Sequence, residues 1–180
     1  MSQDELVDII DQEGNKLKVT TKQEAHSQGL LHKTVISEVI DSQGRWLMVK
    51  QSKDRQDAGQ YVSPVGGHVS AGETEIEALK REAQEEVGLT GNFKHHYIGR
   101  AVFNRHVIGR QENHLFVMYS VFSDAKPVLS NESESCKYFT REELTFELKN
   151  HPELFGDSFH FSTNDRLNGN GKLLLGQRLF

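Results

Sequence analysis

Cysteine is almost absent from this chain of 180 residues. Cys136 stands alone, which rules out an internal disulfide and suits a reducing, cytoplasmic compartment. Proline is nearly as scarce, at three residues, and no Pro- or Ser-rich linker divides the chain. No internal repeat or low-complexity tract is found either, so one domain spanning 1–180 is expected. No apolar run approaches the roughly 20 residues that a bilayer-crossing helix needs, and no membrane partner is expected. The opening MSQDELVDII lacks a basic start and a small-residue cleavage site, so it does not read as a secretory signal. Positive charge is in deficit too: 21 Lys and Arg face 26 Asp and Glu, for a net charge of -5. That argues against a nucleic-acid polymer as partner, since such proteins carry a basic face. It leaves room for a small phosphorylated substrate, which a metal ion and a few arginines can hold locally.

What is present is a succession of short β-rich segments with a few helical ones. Val7, Ile9 and Ile10, a turn at 12–15, then Leu17 and Val19 read as a hairpin, within an N-terminal extension over 1–30. A second hairpin joins 34–40 to 45–50 through Asp41-Ser42-Gln43-Gly44, and opens a core region over 31–150. Residues 51–66 read as a polar loop entering a short strand. Strands are expected at 97–103, 115–122 and 137–139, then a helix from about Arg141 that His151-Pro152 ends. The last twenty residues, with Asn168-Gly169-Asn170-Gly171, read as loop within a C-terminal extension over 151–180. Mostly antiparallel strands with intervening helices predict an α/β sandwich with a mixed sheet, not a parallel doubly wound one.

The informative segment is GHVSAGETEIEALKREAQEEVGL, from Gly67 to Leu89. Thr74 and Glu77 form a capping box, which starts a helix at Thr74, and Gly88 supplies a left-handed C-terminal cap. At about 100° per residue, Ile76, Leu79, Ala83 and Val87 fall within an arc of roughly 80° fit for burial. Glu82, Glu85 and Glu86 occupy a neighbouring arc of roughly 100°. Three carboxylates thus crowd the edge of a buried face. Glutamates on a helix usually form only a solvated face, but like charges at this spacing repel, and a divalent cation relieves the repulsion. Oxygen-only ligands favour Mg²⁺ or Mn²⁺ over zinc.

The segment resembles the Nudix hydrolase signature, G-x5-E-x7-R-E-U-x-E-E-x-G-U with U apolar. Gly67, Glu73, Arg81, Glu82, Glu85, Glu86 and Gly88 match every fixed position, with Ala83 and Leu89 at the apolar places. At residue frequencies of roughly 1 in 15, chance produces this in about one window in 10⁸. The resemblance implies a Nudix α/β/α sandwich and metal-dependent hydrolysis of a diphosphate linkage in a small nucleotide or nucleoside-diphosphate derivative. It makes Glu85 and Glu86 metal ligands, Glu82 a further ligand or the general base, and Arg81 and Glu73 a pair that holds the loop. The Gly67 carbonyl could join the metal shell.

Beyond the signature the chain resembles one Nudix branch, the isopentenyl-diphosphate isomerases. That family has two N-terminal histidines, a C-G-H tripeptide and a later E-N-E, which together bind metal and move a proton. Here His26 and His32 lie at nearly that spacing, with Gly66-Gly67-His68 and Glu112-Asn113-His114 at the other two places. Gly66 stands where the catalytic cysteine would be and His114 where the second glutamate would be. The proton donor and acceptor that isomerisation needs are both missing, and the hydrolytic signature is complete. Hydrolysis is therefore the expected activity, with an isomerase or a silent nucleotide-binding domain as alternatives. His26, His32, His68 and Glu112 either keep a second metal site or are ordinary polar residues. Glu132 and Glu134 read as a solvated acidic loop, though several Nudix hydrolases have a further catalytic glutamate in this region. Arg105, Arg110, Glu112 and His68 are candidate substrate contacts, and Tyr61, Trp46 or Phe103 could stack on a base if not committed to the core. The N-terminal hairpin could supply an edge for a homodimer.

Overall fold

The structure is a computed structural model that describes residues 5–107 and 109–167. Strands β1 (Leu6–Ile10) and β2 (Lys16–Thr21) form the expected N-terminal hairpin. Helix α1 (Lys22–Gln28), absent from the sequence reading, follows directly. It is only two turns long and mostly polar, too short for a hydrophobic period to emerge. Its start and stop signals are local: Thr21 Oγ1 accepts from the Glu24 N–H at 3.1 Å, and Gly29 takes a left-handed φ of 61°.

The remaining strands are β3 (His32–Ile40), β4 (Trp46–Gln51), β5 (Tyr61–Val62), β6 (Val65–His68), β7 (Lys94–Val107), β8 (Arg110–Phe122) and β9 (Ser133–Phe139). Helix α2 (Glu75–Val87) lies between β6 and β7, while α3 (Arg141–Asn150) and α4 (Asp157–Leu167) end the described chain. β3 is the centre of the sheet. It runs parallel to β8 from His32↔His114 to Ile40↔Phe122, and antiparallel to β6, β4 and β1. β7 pairs with β8, and β9 with β4, both antiparallel. The sheet is mixed, as the sequence predicts.

Period-2 alternation along β3 and β4 divides the core into two layers. Val35, Val39, Leu47 and Val49 face α2, meeting Ala78, Leu79, Ala83 and Val87. On the other face, Trp46 and Met48 pack with Phe139, Leu144, Phe155 and Phe159 under α3 and α4, while Ile36 joins Phe103, Phe116 and Met118. The helices thus cover both faces, giving a three-layer sandwich.

Three expectations need correcting. β7 and β8 are longer than their apolar cores, because ladder pairing continues through polar residues such as Asn104↔Asn113 and Arg105↔Glu112. β9 starts at Ser133, where pairing with β4 holds a run with little apolar character. The chain after Pro152 is not wholly loop: α4 occupies Asp157–Leu167 and buries Phe159. The expected loop at Asn168-Gly169-Asn170-Gly171 lies outside the described residues.

Candidate active site

Helix α2 begins and ends where its caps dictate. Thr74 Oγ1 accepts from the Glu77 N–H at 3.2 Å, while the Glu77 carboxylate accepts from the Thr74 N–H at 2.8 Å. Gly88 closes the helix with φ 69°, where a Cβ would sit 2.8 Å from the Val128 side chain. Between the caps, Glu82 is buried, Glu86 half-buried and Glu85 exposed. A Cβ on Gly67 would overlap the Glu82 carboxylate. The glycine lets strand β6 approach α2 closely enough for the acid to lie against the backbone.

Arg81 organises the loop between β6 and α2. Its Nε and one terminal nitrogen both donate to Glu73 at 2.9 Å. That second nitrogen also donates to the His68 carbonyl at 2.8 Å, and the other terminal nitrogen reaches Glu82 Oε1 at 2.5 Å. Glu73 in turn accepts from the Ser70 N–H at 2.9 Å. Forked charge-assisted bonds of this kind fix direction as well as distance. The expected Arg81–Glu73 pair is formed, and it bridges to Glu82.

The carboxylates of α2 are electrostatically uncomfortable. Burial pushes the Glu82 carboxyl up to about 7, against the pull of Arg81, and Glu85 adds to the rise. Burial, then the charges of Glu132 and Glu82, push Glu86 up to about 8. Glu132 also pairs with Arg55 at 2.8 Å. It borders the same cleft as Glu82 and Glu86, whereas Glu134 is exposed. That cleft holds about 920 Å³ and is lined by Gly67, the three α2 glutamates, Arg81, Arg105, Arg110 and Glu112.

Strand register builds a second cluster on the sheet face away from α2. His32 and His114 are direct partners across β3 and β8, and His68 lies opposite Thr34, two residues further along β3. Side chains two apart share a face, so all three imidazoles converge. α1 brings His26 onto them. The Asn113 side chain ties α1 down by donating to the Gly29 carbonyl at 3.1 Å. His26 Nε2 lies 3.2 Å from both His114 Nε2 and His68 Nε2. All six ring pairs have centroids 4.7–5.4 Å apart. Burial, reinforced by neighbouring imidazoles, lowers His26 to about 4 and holds His68 and His114 well below the usual histidine value. The rings are neutral near pH 7.

Glu112 is not among those imidazoles' bonded partners. It accepts from Arg105 Nε at 2.8 Å, Arg110 at 2.8 Å and Gln56 at 3.0 Å. Burial raises its pKa, but the Arg105 bond and the two guanidinium charges outweigh this and leave it lowered. Arg105 is also committed to Asp57 at 3.1 and 3.2 Å and to Asp157 at 3.3 Å. Arg110 is freer: its side chain is 39% exposed and its Nε lacks a partner. Gln56 and Asp57 belong to the stretch read only as polar loop. No sequence period links a loop residue to a partner some fifty positions away, so no signal marked them. Trp46 is buried and Tyr61 packs edge-on to Phe139, both within the core, while Phe103 is buried in the core yet borders the cleft.

Comparisons with known proteins agree with this geometry. Along 155 residues the chain is 27% identical to an isopentenyl-diphosphate Delta-isomerase of Serratia proteamaculans, covering 84% of this chain and 86% of that one. It is 32% identical to an uncharacterized Nudix hydrolase of Yersinia pestis over 88 residues, 48% of each chain. The crystal structure of DR0079 from Deinococcus radiodurans superposes with a TM-score of 0.69 at 20% identity, covering 89% of this chain and 98% of that one. The NUDIX domain profile matches residues 30–158. With the complete signature on the α2 loop and helix, the chain belongs to the Nudix family and stands with its pyrophosphohydrolases.

Proposed function

We propose that the chain hydrolyses a diphosphate linkage in a small nucleotide or nucleoside-diphosphate derivative by water attack on phosphorus, with Mg²⁺ as its ion and Mn²⁺ as a substitute. The observation that carries this reading is the trio of Glu82, Glu85 and Glu86 at one wall of the cleft, with Gly67 leaving room for Glu82. The donor set fits a hard cation: it is all oxygen, and burial together with neighbouring carboxylates raises Glu82 and Glu86, a penalty that a bound cation would relieve. Glu82, Glu85, Glu86 and the Gly67 carbonyl would hold it. When bound, such an ion lowers the pKa of water and neutralises charge on phosphate oxygens.

The other roles belong to the chain itself. Glu82, buried at the cleft wall and held by Arg81, suits a base that takes a proton from the attacking water. Arg81 and Glu73 orient it. Arg110 is the better phosphate contact, because Arg105 already spends its donors on Glu112, Asp57 and Asp157. Glu112 then positions both arginines, and His68 borders the cleft beside them. The lone Cys136 favours cytoplasmic residence. The exposed Leu17 and Val19 on β2 suit an edge-to-edge homodimer, which would show as a doubled mass in light scattering.

Screening phosphate release from nucleoside di- and triphosphates, dinucleotides, nucleotide sugars and isoprenoid diphosphates, with Mg²⁺ and Mn²⁺, tests the reading. Turnover by Glu86→Gln at the wild-type rate would overturn it. A second reading, diphosphate isomerisation, is favoured by the similarity to the Serratia isomerase over most of both chains. Against it stand Gly66, which has no side chain to move a proton, and His114, which lies among three other imidazoles. Deuterium uptake by isopentenyl diphosphate, followed by NMR, separates the two.

A further inference from the structure

We propose that Arg105 is a specificity-determining residue of the cleft: it covers the aromatic floor and turns a hydrogen-bonding wall towards the group that the diphosphate carries. That group would be hydroxylated, as a sugar is, and an apolar chain would be refused. The inference rests on the diphosphate reading above, but not on how the diphosphate is attacked.

Strand pairing places the arginine. Arg105 lies opposite Glu112 in the β7–β8 ladder, and Phe103, two residues back on β7, shares its face. Phe103 stacks on Phe116 with ring centroids 4.9 Å apart and an interplanar angle of 19°. Ile36 joins them, and all three apolar side chains border the cleft. A floor of this kind would hold a hydrocarbon tail if it were open. The Arg105 guanidinium carbon sits over the Phe103 ring, 5.4 Å from its centroid, within the roughly 6 Å at which a cation is drawn to an aromatic face. With Arg105 in place, Phe103 is 8% exposed.

The cover is fastened from three other segments. Arg105 Nε donates to Glu112 at 2.8 Å, its two terminal nitrogens reach Asp57 at 3.1 and 3.2 Å, and one of them reaches Asp157 at 3.3 Å. Asp57 has a left-handed φ of 58°, which aspartate tolerates better than most residues. The loop before β5, the start of α4 and strand β8 are thereby tied together at one side chain. That side chain is 13% exposed, so it is a fixed part of the wall. What the wall then offers is lone pairs. Among the described residues, both Asp57 oxygens and Glu112 Oε1 each accept a single side-chain hydrogen bond, and a carboxylate oxygen has capacity for two. Both residues border the cleft, as does Ser158. Hydroxyl donors suit such a surface, whereas a hydrocarbon laid along it would strip water from charged groups and return nothing.

The test measures binding without turnover, on the full chain with Mg²⁺. The probes are the methylene-bridged analogues of uridine-diphosphate glucose and of geranyl diphosphate, whose P–C–P bridge does not hydrolyse, titrated by calorimetry. Wild type should favour the sugar analogue by about tenfold or more, and Arg105→Leu should shrink that ratio by about tenfold. Arg105→Leu leaves Asp57 without its partner and Glu112 with one fewer, so circular dichroism checks its fold and Asp57→Asn is measured beside it. Asparagine also accepts a left-handed φ, and this milder loosening should move the ratio the same way by a smaller factor. An arginine with a merely structural role would weaken both probes together and leave the ratio alone. The assignment is overturned if wild type shows no preference for the sugar analogue, or if every variant that folds keeps the wild-type ratio. The expected ratio and shift, found in a chain that hydrolyses neither parent diphosphate, would remove the hydrolase reading and leave the assignment standing.

Discussion

The carboxylate of Glu82 occupies the space that a Cβ on Gly67 would fill. The glycine and the acid are one device, in which the missing side chain on β6 admits the acid of α2 to the cleft wall. Gly67→Ala should therefore displace Glu82 and lower activity about 100-fold or more, the scale on which a displacement of about 1 Å acts. Steady-state rates at saturating Mg²⁺ check this, and rates within twofold of wild type would detach the glycine from the mechanism.

Metal binding should release protons. Glu82 and Glu86 titrate near 7 and 8 in the metal-free chain, and a ligand carboxyl must be ionised to bind. Mg²⁺ affinity should rise between about pH 6 and 9, with on the order of one proton released near neutrality. Calorimetry in two buffers of different protonation enthalpy reads this directly. A binding heat independent of buffer contradicts it.

The metal-free chain should be least comfortable at alkaline pH. Glu86 is raised from 4.5 to about 8, so its contribution is complete below about 4.5 and is lost as pH rises through about 8. His26 is lowered from 6.5 to about 4, so stability is lost as pH falls from about 6.5 through 4. A broad stability maximum on the acid side of neutrality follows. Glu86→Gln should be more stable than wild type in chelator at pH 8–9, and nearly inactive. Urea midpoints across pH, with an activity assay, check both halves.

Arg81→Lys keeps the charge but not the fork. Losing the second bond to Glu73 and those to the His68 carbonyl and Glu82 should cost about 1.5–3 kcal/mol. Activity should fall as well, because Glu82 loses its anchor. An unchanged urea midpoint would show that the loop holds itself.

Glu82→Gln separates base from scaffold. Replacing a raised, buried acid with an isosteric amide removes the proton acceptor, and a loss of roughly 10²–10⁴-fold is expected if it is the general base. The loss should persist at saturating Mg²⁺. Recovery at high Mg²⁺ would make it a ligand only.

Helix α2 was legible because its determinants are local. Thr74, Glu77 and Gly88 cap it through neighbours three or four positions away, and the 3.6-residue period separates its buried stripe from its acids. The signature residues needed only sequence spacing to be recognised, and so did the mixed α/β class. Helix α1 was not legible, since seven residues with Ala25 as their one apolar side chain carry no period, and its place depends on Asn113 reaching Gly29. The convergence of four histidines, spread from position 26 to 114, depends on which strands pair and in which register. A shift of one residue between β3 and β8 would turn His114 to the opposite face. The commitment of Arg105 to Glu112 and Asp57 likewise joins a strand to a loop far away in sequence. Short-range hydrogen bonding and periodicity are written in the order of residues. Register and long-range ion pairing are settled only when the core closes and removes the alternatives.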